Sequence, residues 1–407
     1  MRSVLMVVAS ATSLTSMWSA VRVSGVQVSD ALLLLWSVLV VLAAGPAALR
    51  RTPRWLAAPV LAACLAMTLQ VLVGASTAAR LSADSEVLLR LVTATVVVPL
   101  VIIASARVCG TRALRVIVQG WVASAAVSVL AELYVVRGGT LPSVVVRELV
   151  SAERGFGLAL HPNSLGMTCV LALPFFLGGM RGHGPIPARL AVPGSGLMLV
   201  GLFVADSRAA LLVGGVIVLL AGAYLCTTRG AWPIGLPLLL LAMAAALVYL
   251  PDVVAGTRLS GSGNTAGSDA LRELHRQQAL ELIEASPVFG HQLSSVGAGV
   301  MTLLGLLVAG GIVFAVGYYA YFGAALRVLL PLARQGRALA TLCIISTTCF
   351  LTIGLAQPST VERYTFWPIG VGLALALVAR PTDAVSASRH GARTDTGRTG
   401  VARVSNR

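Results

Sequence analysis

The residues best suited to chemistry are arginines placed next to apolar segments. Arg208 lies in Asp206-Ser-Arg208, one hydrophobic hairpin after a polar cluster that ends at Asn163. If each apolar segment of that hairpin crosses a bilayer, both clusters emerge on the same side of it. A guanidinium beside a membrane span is costly unless it reaches water or a partner, so Arg208 is a candidate for anion binding. The alternative is that Arg208 reaches the lipid headgroups and only anchors its helix.

Further arginines are expected on the same side of the membrane as Arg208. They are Arg154, Arg272 and Arg276, with Arg363 beside the last loop on that side. A guanidinium fork suits the paired oxygens of a diphosphate, and in a partly dry site it would stabilise the charge left on a diphosphate as a sugar departs. Glycosyl transfer without a metal also needs a base that takes the proton of the acceptor hydroxyl. The candidate bases, each of which also fits an ordinary surface position, are His161, His275, Glu281, Glu284 and His291.

Other chemistries lack their sequence marks. The chain contains no P-loop, no dinucleotide fingerprint, no zincin motif and no Asp-x-Asp of the kind that holds a metal-bound nucleotide sugar. Its six Cys form no Cys-x-x-Cys pair and no Cys/His metal spacing. We therefore expect neither disulfides nor zinc, no other metal and no cofactor.

Composition identifies a polytopic membrane protein. Of the 407 residues, 57% are hydrophobic and 11% are charged, and the mean hydropathy is +0.89, far above that of soluble domains. Apolar segments near the roughly 20 residues that cross a bilayer recur along the chain, which predicts an all-α fold with about twelve transmembrane helices. The predicted spans cover 4–20, 31–49, 55–75, 87–106, 113–135, 164–180, 190–205, 209–227, 232–250, 306–326, 339–356 and 364–379. The first segment could alternatively be a cleaved signal peptide.

The charges alternate with these spans. With the N-terminus inside, the inner side receives nineteen of the thirty Arg and only two acidic residues, whereas the outer side receives eleven Arg and thirteen acidic residues. Short cytoplasmic loops hold such an excess of Arg, so both termini are predicted to be cytoplasmic and the membrane to be the inner, cytoplasmic one. The net charge of +15 then arises from topology, and no nucleic-acid partner is implied.

The predicted spans divide the chain into four parts. Residues 1–250 hold the first nine spans, 251–305 form a large extracytoplasmic loop, 306–380 hold the last three spans, and 381–407 form a basic, disordered tail. Within the large loop, residues 270–285 are predicted to be an amphipathic helix that Ser286-Pro287 would end. Such a helix could lie flat in the membrane interface, cover an active site, or do both.

Four motifs in order resemble the O-antigen ligase and polymerase-like family of membrane glycosyltransferases. They are Arg154-Gly-Phe-Gly, His161-Pro-Asn163-Ser-Leu-Gly, Asp206-Ser-Arg208-Ala-Ala-Leu, and Arg276 with the following Ala279-Leu-Glu-Leu-Ile-Glu-Ala-Ser-Pro287-Val-Phe-Gly290. The resemblance covers mainly residues 150–330. It implies an undecaprenyl-diphosphate-linked saccharide donor, delivered by a flippase, and metal-free transfer outside the cytoplasmic membrane. It also implies diphosphate contacts from Arg208 and from a loop-helix arginine, matched to Arg276 with Arg272 as runner-up.

The chain departs from this family at one position. Members with ligase activity carry a His-Asn pair shortly before the Gly that opens the next span, and the His is thought to activate the acceptor. In this chain the corresponding positions, beginning eleven residues before Gly310, are Gly299 and Val300. His291 lies eight residues before Gly299. The departure leaves a polymerase branch, a divergent enzyme that uses His291 or a glutamate such as Glu281, or an inactive relative.

Three functional classes follow from the sequence. The first is a polymerase or ligase for a cell-surface polysaccharide such as an exopolysaccharide or a capsule. The second is a transporter of lipid-linked saccharides or another solute, which broken helices or polar residues in mid-span would mark. The third is a catalytically inactive scaffold of a polysaccharide assembly complex.

Overall fold

A computed structural model describes residues 1–24, 26–50, 78–146, 155–180, 182, 184–227, 265–297, 301–357 and 362–379. It is 81% helical. An antiparallel pair of two-residue strands, β1 (Arg22–Val23) and β2 (Val26–Gln27), precedes the second helix. The all-α prediction is therefore confirmed. The predicted spans 55–75 and 232–250 and the predicted tail 381–407 lie outside the described residues.

The helices follow the apolar segments of the sequence, since backbone groups in hydrocarbon must be hydrogen-bonded within the chain. In order they are α1 (Arg2–Thr15), α2 (Val28–Arg50), α3 (Ala78–Val92), α4 (Val98–Cys109), α5 (Thr111–Val136), α6 (Pro162–Gly179), α7 (Ala188–Ala205), α8 (Arg208–Thr227), α9 (Thr265–Ala285), α10 (Thr302–Arg334), α11 (Ala338–Gly354) and α12 (Trp367–Ala379). A π-helical turn over Thr93–Val97 joins α3 to α4, and a 3-10 turn over Arg363–Phe366 leads into α12.

Six stretches of these helices are long and apolar enough to cross a membrane. They are Val28–Gly45, Asp84–Cys109, Thr111–Val136, Pro162–Gly179, Ala188–Ala205 and Thr302–Arg334. Shorter apolar helices occupy Arg2–Thr15, Arg208–Ala221, Ala338–Gly354 and Arg363–Val378. The chain is thus a multi-pass membrane protein by the length and composition of its helices, and the full number of about twelve spans stays a prediction.

Helix α6 forms the centre of the bundle. It packs against α5, α7, α8 and α11, and most of its residues are buried. Polar side chains tie neighbouring helices together: the Trp121 indole N–H donates to the Tyr364 carbonyl at 3.1 Å, and the Ser346 hydroxyl donates to the Leu171 carbonyl at 3.0 Å. In an apolar bundle these hydrogen bonds satisfy groups that lipid could not.

Helix α10 is broken near its start. Gly310 (φ −142°, ψ 16°) and Gly311 (φ 62°, ψ −163°) have non-helical conformations, and the second of these is open almost only to glycine. The predicted boundary differs, because the sequence predicted a loop up to residue 305 and a span from residue 306. In the structure, α10 already begins at Thr302, and the interruption lies about two turns after that start.

A loop backbone replaces the hydrogen bond that the break removes. In an unbroken helix the Ile312 N–H would donate to the Val308 carbonyl. Instead, the Ile312 N–H donates to the Pro287 carbonyl at 2.9 Å, and the Val308 carbonyl accepts from the His291 N–H at 2.8 Å. The backbone of the loop that follows α9 therefore takes part in the hydrogen bonding of α10.

The backbone of this loop and the backbone of α10 approach each other so closely that no side chain fits between them. A Cβ on Gly311 would lie 2.2 Å from the Val288 carbonyl carbon, and a Cβ on Gly290 would lie 2.5 Å from the Gly310 nitrogen. We expect Gly311→Ala to lower the free energy of unfolding by about 1–3 kcal/mol through backbone strain alone, with steric overlap adding to it. Thermal unfolding of the detergent-solubilised protein measures this loss.

Gly323→Ala is the matched control on the same helix. A Cβ on Gly323 meets nothing within 4 Å, and alanine favours a helix over glycine, so the control should leave the melting temperature unchanged or raise it. Equal melting temperatures for the two variants would contradict the inserted-loop geometry.

Candidate functional site

The segment that carries the Arg-Gly-Phe-Gly motif packs against residues at the ends of two other helices. The segment between α5 and α6 runs across the end of α1, where the Ala20 N–H donates to the Leu158 carbonyl at 3.0 Å. The same segment reaches the end of α7, where the Gly155 N–H donates to the Val204 carbonyl at 2.9 Å. Arg154, the first residue of the Arg-Gly-Phe-Gly motif, lies outside the described residues.

A buried carboxylate holds this motif in place. One oxygen of Glu132, on α5, accepts the backbone N–H groups of Phe156 at 3.1 Å and Gly157 at 2.7 Å. The Ser128 hydroxyl accepts the next amide, from Leu158, at 2.9 Å. Gly157 has φ 58°, and a Cβ there would lie 2.4 Å from the Ser128 carbonyl oxygen. The glycines of the motif thus let the backbone fold onto a carboxylate that is only 4% exposed.

His161 caps α6. Its Nδ1 accepts the Asn163 backbone N–H at 3.0 Å, and its own φ of −136° is extended. Pro162 occupies the first helical position, where a missing N–H costs nothing. A nitrogen that accepts a hydrogen bond carries no proton, so the neutral His161 ring has its hydrogen on Nε2. This position therefore orients the start of α6, and Nδ1 of His161 is already in use.

The turn between α7 and α8 presents Arg208. Helix α7 ends at Ala205, Asp206 adopts the left-handed conformation (φ 44°, ψ 47°), and Arg208 is the first residue of α8. Arg208 and Asp206 are half-buried, whereas Ser207 is buried. The first amides of a helix have no acceptor within it, and the positive end of its dipole favours anions. Arg208 adds a full positive charge to that end.

The structure brings Asn163 and Arg208 to neighbouring positions. A Cβ on Gly166, one turn into α6, would lie 2.8 Å from the Cβ of Ala210 and 3.1 Å from the Cβ of Ser207. Asn163 precedes Gly166 by three residues on the same helix face. The first turn of α6 therefore adjoins the turn before α8.

The other candidates lie on α9 and the loop behind it, which pack on α10. The contact is made by Ala279 and Ile283 with Val308 and Leu304. Leu271, Leu274 and Leu282 lie on a different face of α9 and are about half exposed. The contacting face is roughly a third of a turn away from this leucine face. Because Leu271, Leu274 and Leu282 stay uncovered, α9 retains the apolar surface that an interfacial helix needs.

Helix α9 begins earlier than the sequence predicted, and one of its arginines is paired with a glutamate. The helix begins at Thr265, five residues before the predicted start, and it ends at Ala285 before Ser286-Pro287 as predicted. Arg276 donates two hydrogen bonds to Glu273, at 2.8 and 2.5 Å. These bonds lower the pKa of the Glu273 carboxyl and raise that of Arg276, so the exposed pair is fully ionised at neutral pH.

Three further predicted residues belong to this second group. Arg272 and Glu281 have exposed side chains on α9. His291 is half-buried and its Nε2 lies 2.7 Å from the Leu282 carbonyl. Because a carbonyl oxygen only accepts, Nε2 must carry the hydrogen, and Nδ1 is then the basic nitrogen of the neutral ring. The predicted replacements of the family His-Asn pair, Gly299 and Val300, lie outside the described residues.

Two acidic residues were missed as parts of the site. Glu132 is not among the candidate residues that the sequence predicts. Asp84, which is 1% exposed, accepts the Ser294 N–H at 2.8 Å and so fixes the 3-10 turn Leu293–Gly297 behind His291. A carboxylate in an apolar segment was the available signal, since such a group requires a partner. In the described part of the chain, no three His, Cys, Asp or Glu side chains are grouped to hold a metal.

We expect Glu132→Ala to free the loop of its two amide bonds. Each buried N–H left without an acceptor costs about 1–3 kcal/mol, so the melting temperature should fall and limited proteolysis should cut the segment before α6. Glu86→Ala removes an exposed carboxylate 2.6 Å from Arg90 and should change stability by less than about 1 kcal/mol. Comparable losses in the two variants would show that Glu132 does not hold the loop.

Comparison with known proteins finds no family model that matches the chain and no curated protein with significant sequence similarity to it. The function of the chain is therefore inferred from its own residues and their geometry.

Proposed function

We propose that the chain is a membrane glycosyltransferase that transfers or polymerises saccharides carried on undecaprenyl diphosphate, in the synthesis of a cell-surface polysaccharide. The four motifs that resemble the O-antigen ligase and polymerase-like family support this assignment. So does the multi-pass architecture, with a docked helix, α9, late in the chain.

The observation that carries the proposal is the position of Arg208. It begins α8, its side chain is half-buried, and the turn before it touches the first turn of α6, where Asn163 lies. A guanidinium at the N-terminus of a helix, where the helix dipole is positive, favours a large anion, and a diphosphate offers paired oxygens to its fork. Headgroup anchoring alone would not require contact with a second polar motif.

The reaction needs stabilisation of the charge on the diphosphate leaving group and removal of the proton from the acceptor hydroxyl. The acceptor hydroxyl oxygen bonds to the anomeric carbon of the donor sugar, the bond from that carbon to the diphosphate oxygen breaks, and its electron pair stays on the diphosphate. Arg208 and Arg154 stabilise the charge of this leaving group. The hydroxyl proton passes to a base, for which Nδ1 of His291 is the first candidate and the Glu281 carboxylate the second.

Arg276 is the second diphosphate ligand in this scheme, with Arg272 as the alternative. Its hydrogen bonds to Glu273 must open before both prongs of its guanidinium can bind the donor. Both partners are about half exposed, and exposed ion pairs of this kind are readily exchanged. Glu273 therefore holds Arg276 in an extended, ionised state until an anion arrives.

The enzyme is proposed to lie in the cytoplasmic membrane, with both termini in the cytoplasm and the candidate site outside. The excess of arginine on the predicted inner side supports this orientation. A flippase would deliver the donor lipid to the outer face. A reporter fused after Arg407 should be active only in the cytoplasm, and activity of the fusion on the outer side would overturn the orientation.

The proposal is tested in cells that lack the gene and carry wild-type or variant copies of it. Surface polysaccharide, resolved by length on a gel, should collapse to single repeat units in the deletion strain if the chain is a polymerase. Arg208→Ala should reduce transfer by about 10²–10³-fold. Arg208→Lys should be nearly as poor, because lysine keeps the charge but lacks the two-pronged geometry.

The other outcomes separate the alternatives. Long chains that stay on the lipid carrier would indicate a ligase. Wild-type activity in Arg208→Lys would contradict two-pronged binding of the diphosphate by Arg208. Wild-type activity in His291→Ala would exclude His291 as the base. Full rescue by Arg208→Ala would favour the scaffold. An unchanged polysaccharide in the deletion strain would favour transport of another solute, for which the break in α10 is a known structural mark.

A further inference from the structure

A cleft with charged residues at its mouth lies between the start of α2 and the helix formed by α3 and the π turn, and Arg208 is not part of its lining. Its volume is about 510 Å³. One wall is formed by the hairpin residues Val26 and Gln27 and by α2 from Asp30 to Ser37, and the opposite wall runs from Glu86 to Val97. The helical part of the first wall covers about seven residues of rise, about 10 Å, which is roughly a third of the thickness of a hydrocarbon core.

The mouth of the cleft is cationic. Three arginines and two carboxylates line it. Arg363 pairs with Asp30 and donates to the Gln27 side chain, and Arg90 pairs with Glu86 at 2.6 Å. Arg22 is the third arginine, and its buried Nε has no hydrogen-bond partner among the residues that the structure describes. Among the described residues that line the cleft, the arginines therefore outnumber the carboxylates by one.

The backbone fixes Arg22 at this mouth. Its N–H donates to the Val144 carbonyl at 2.9 Å, and the Val146 N–H donates to the Ala20 carbonyl at 2.8 Å. Arg22 also pairs across the hairpin with Gln27, which itself lines the cleft. The backbone position of Arg22 at the mouth is therefore fixed before an anion binds.

The walls below the mouth are apolar and uncovered. Leu34 on α2 is 69% exposed and Leu89 on α3 is 67% exposed, and both line the cleft with Val97. The π turn that carries Thr93 and Val97 is held in place, because the Tyr321 hydroxyl donates to the Thr95 carbonyl at 3.0 Å. A cationic mouth above exposed leucines matches an amphiphile with an anionic head.

We propose that this cleft binds one anionic phospholipid, with its phosphate on Arg22 and a chain along Leu34 and Leu89. The single unbalanced positive charge matches the single negative charge of a phosphodiester. A diphosphate carries more charge than the cleft can neutralise without breaking the Arg363–Asp30 or Arg90–Glu86 pairs. The site is separate from Arg208 and does not depend on the glycosyltransferase assignment.

The test is native mass spectrometry of the purified full chain titrated with phosphatidylglycerol, phosphatidylcholine or undecaprenyl diphosphate. Phosphatidylglycerol should bind more tightly than phosphatidylcholine. Arg22→Gln should weaken phosphatidylglycerol binding by about tenfold or more, as the loss of a charged hydrogen bond predicts. Arg115→Gln, which removes an exposed arginine at the start of α5, should change it by less than about twofold.

Leu34→Trp provides a second test should Arg22→Gln not fold. The larger side chain on an already exposed position should leave folding intact and obstruct the chain path, so phosphatidylglycerol binding should fall. Equal affinities for the two phospholipids, equal losses in Arg22→Gln and Arg115→Gln, or wild-type affinity in Leu34→Trp would overturn the proposal. Displacement of phosphatidylglycerol by an equimolar amount of undecaprenyl diphosphate in wild type would overturn the phospholipid assignment and identify the carrier lipid as the occupant.

Discussion

Backbone amides and carbonyls that leave a helix within an apolar bundle must find partners inside the protein, because lipid offers none. In α10 the requirement is met by exchange: the Ile312 N–H and the Val308 carbonyl give up each other and bind the loop at Pro287 and His291. Gly311 and Gly290 make the exchange possible by letting two backbones touch. The position of His291, and hence of the proposed base, depends on this exchange.

Buried carboxylates meet the same requirement elsewhere. Glu132 accepts the amides of Phe156 and Gly157, and Asp84 accepts the amide of Ser294. Both acids shape loops at the ends of spans, and neither needs a substrate to justify its burial. The candidate site is thus built from arginines on α8 and α9 and a histidine in the loop after α9, while the buried acids position the neighbouring loops.

The sequence predicted what depends on local pattern. Apolar length predicted the helices, and Ser286-Pro287 predicted the end of α9. The features that the sequence did not predict depend on contacts with residues that are distant along the chain. A Gly-Gly pair in an apolar run is compatible with close helix packing or with a break, and only the loop from 287 to 291 decides between them. The face of α9 that packs, at Ala279 and Ile283, is likewise chosen by Val308 and Leu304.

One measurement tests the central claim most directly. Purified protein in nanodiscs would be given the undecaprenyl-diphosphate-linked saccharide that accumulates in the deletion strain, and mass spectrometry would follow the free undecaprenyl diphosphate and the saccharide product. The account predicts that wild type releases the lipid diphosphate together with an elongated or transferred saccharide, and that Arg208→Ala does neither at a comparable rate. Release at the same rate by both proteins, or an unaltered donor with folded wild type, would contradict it.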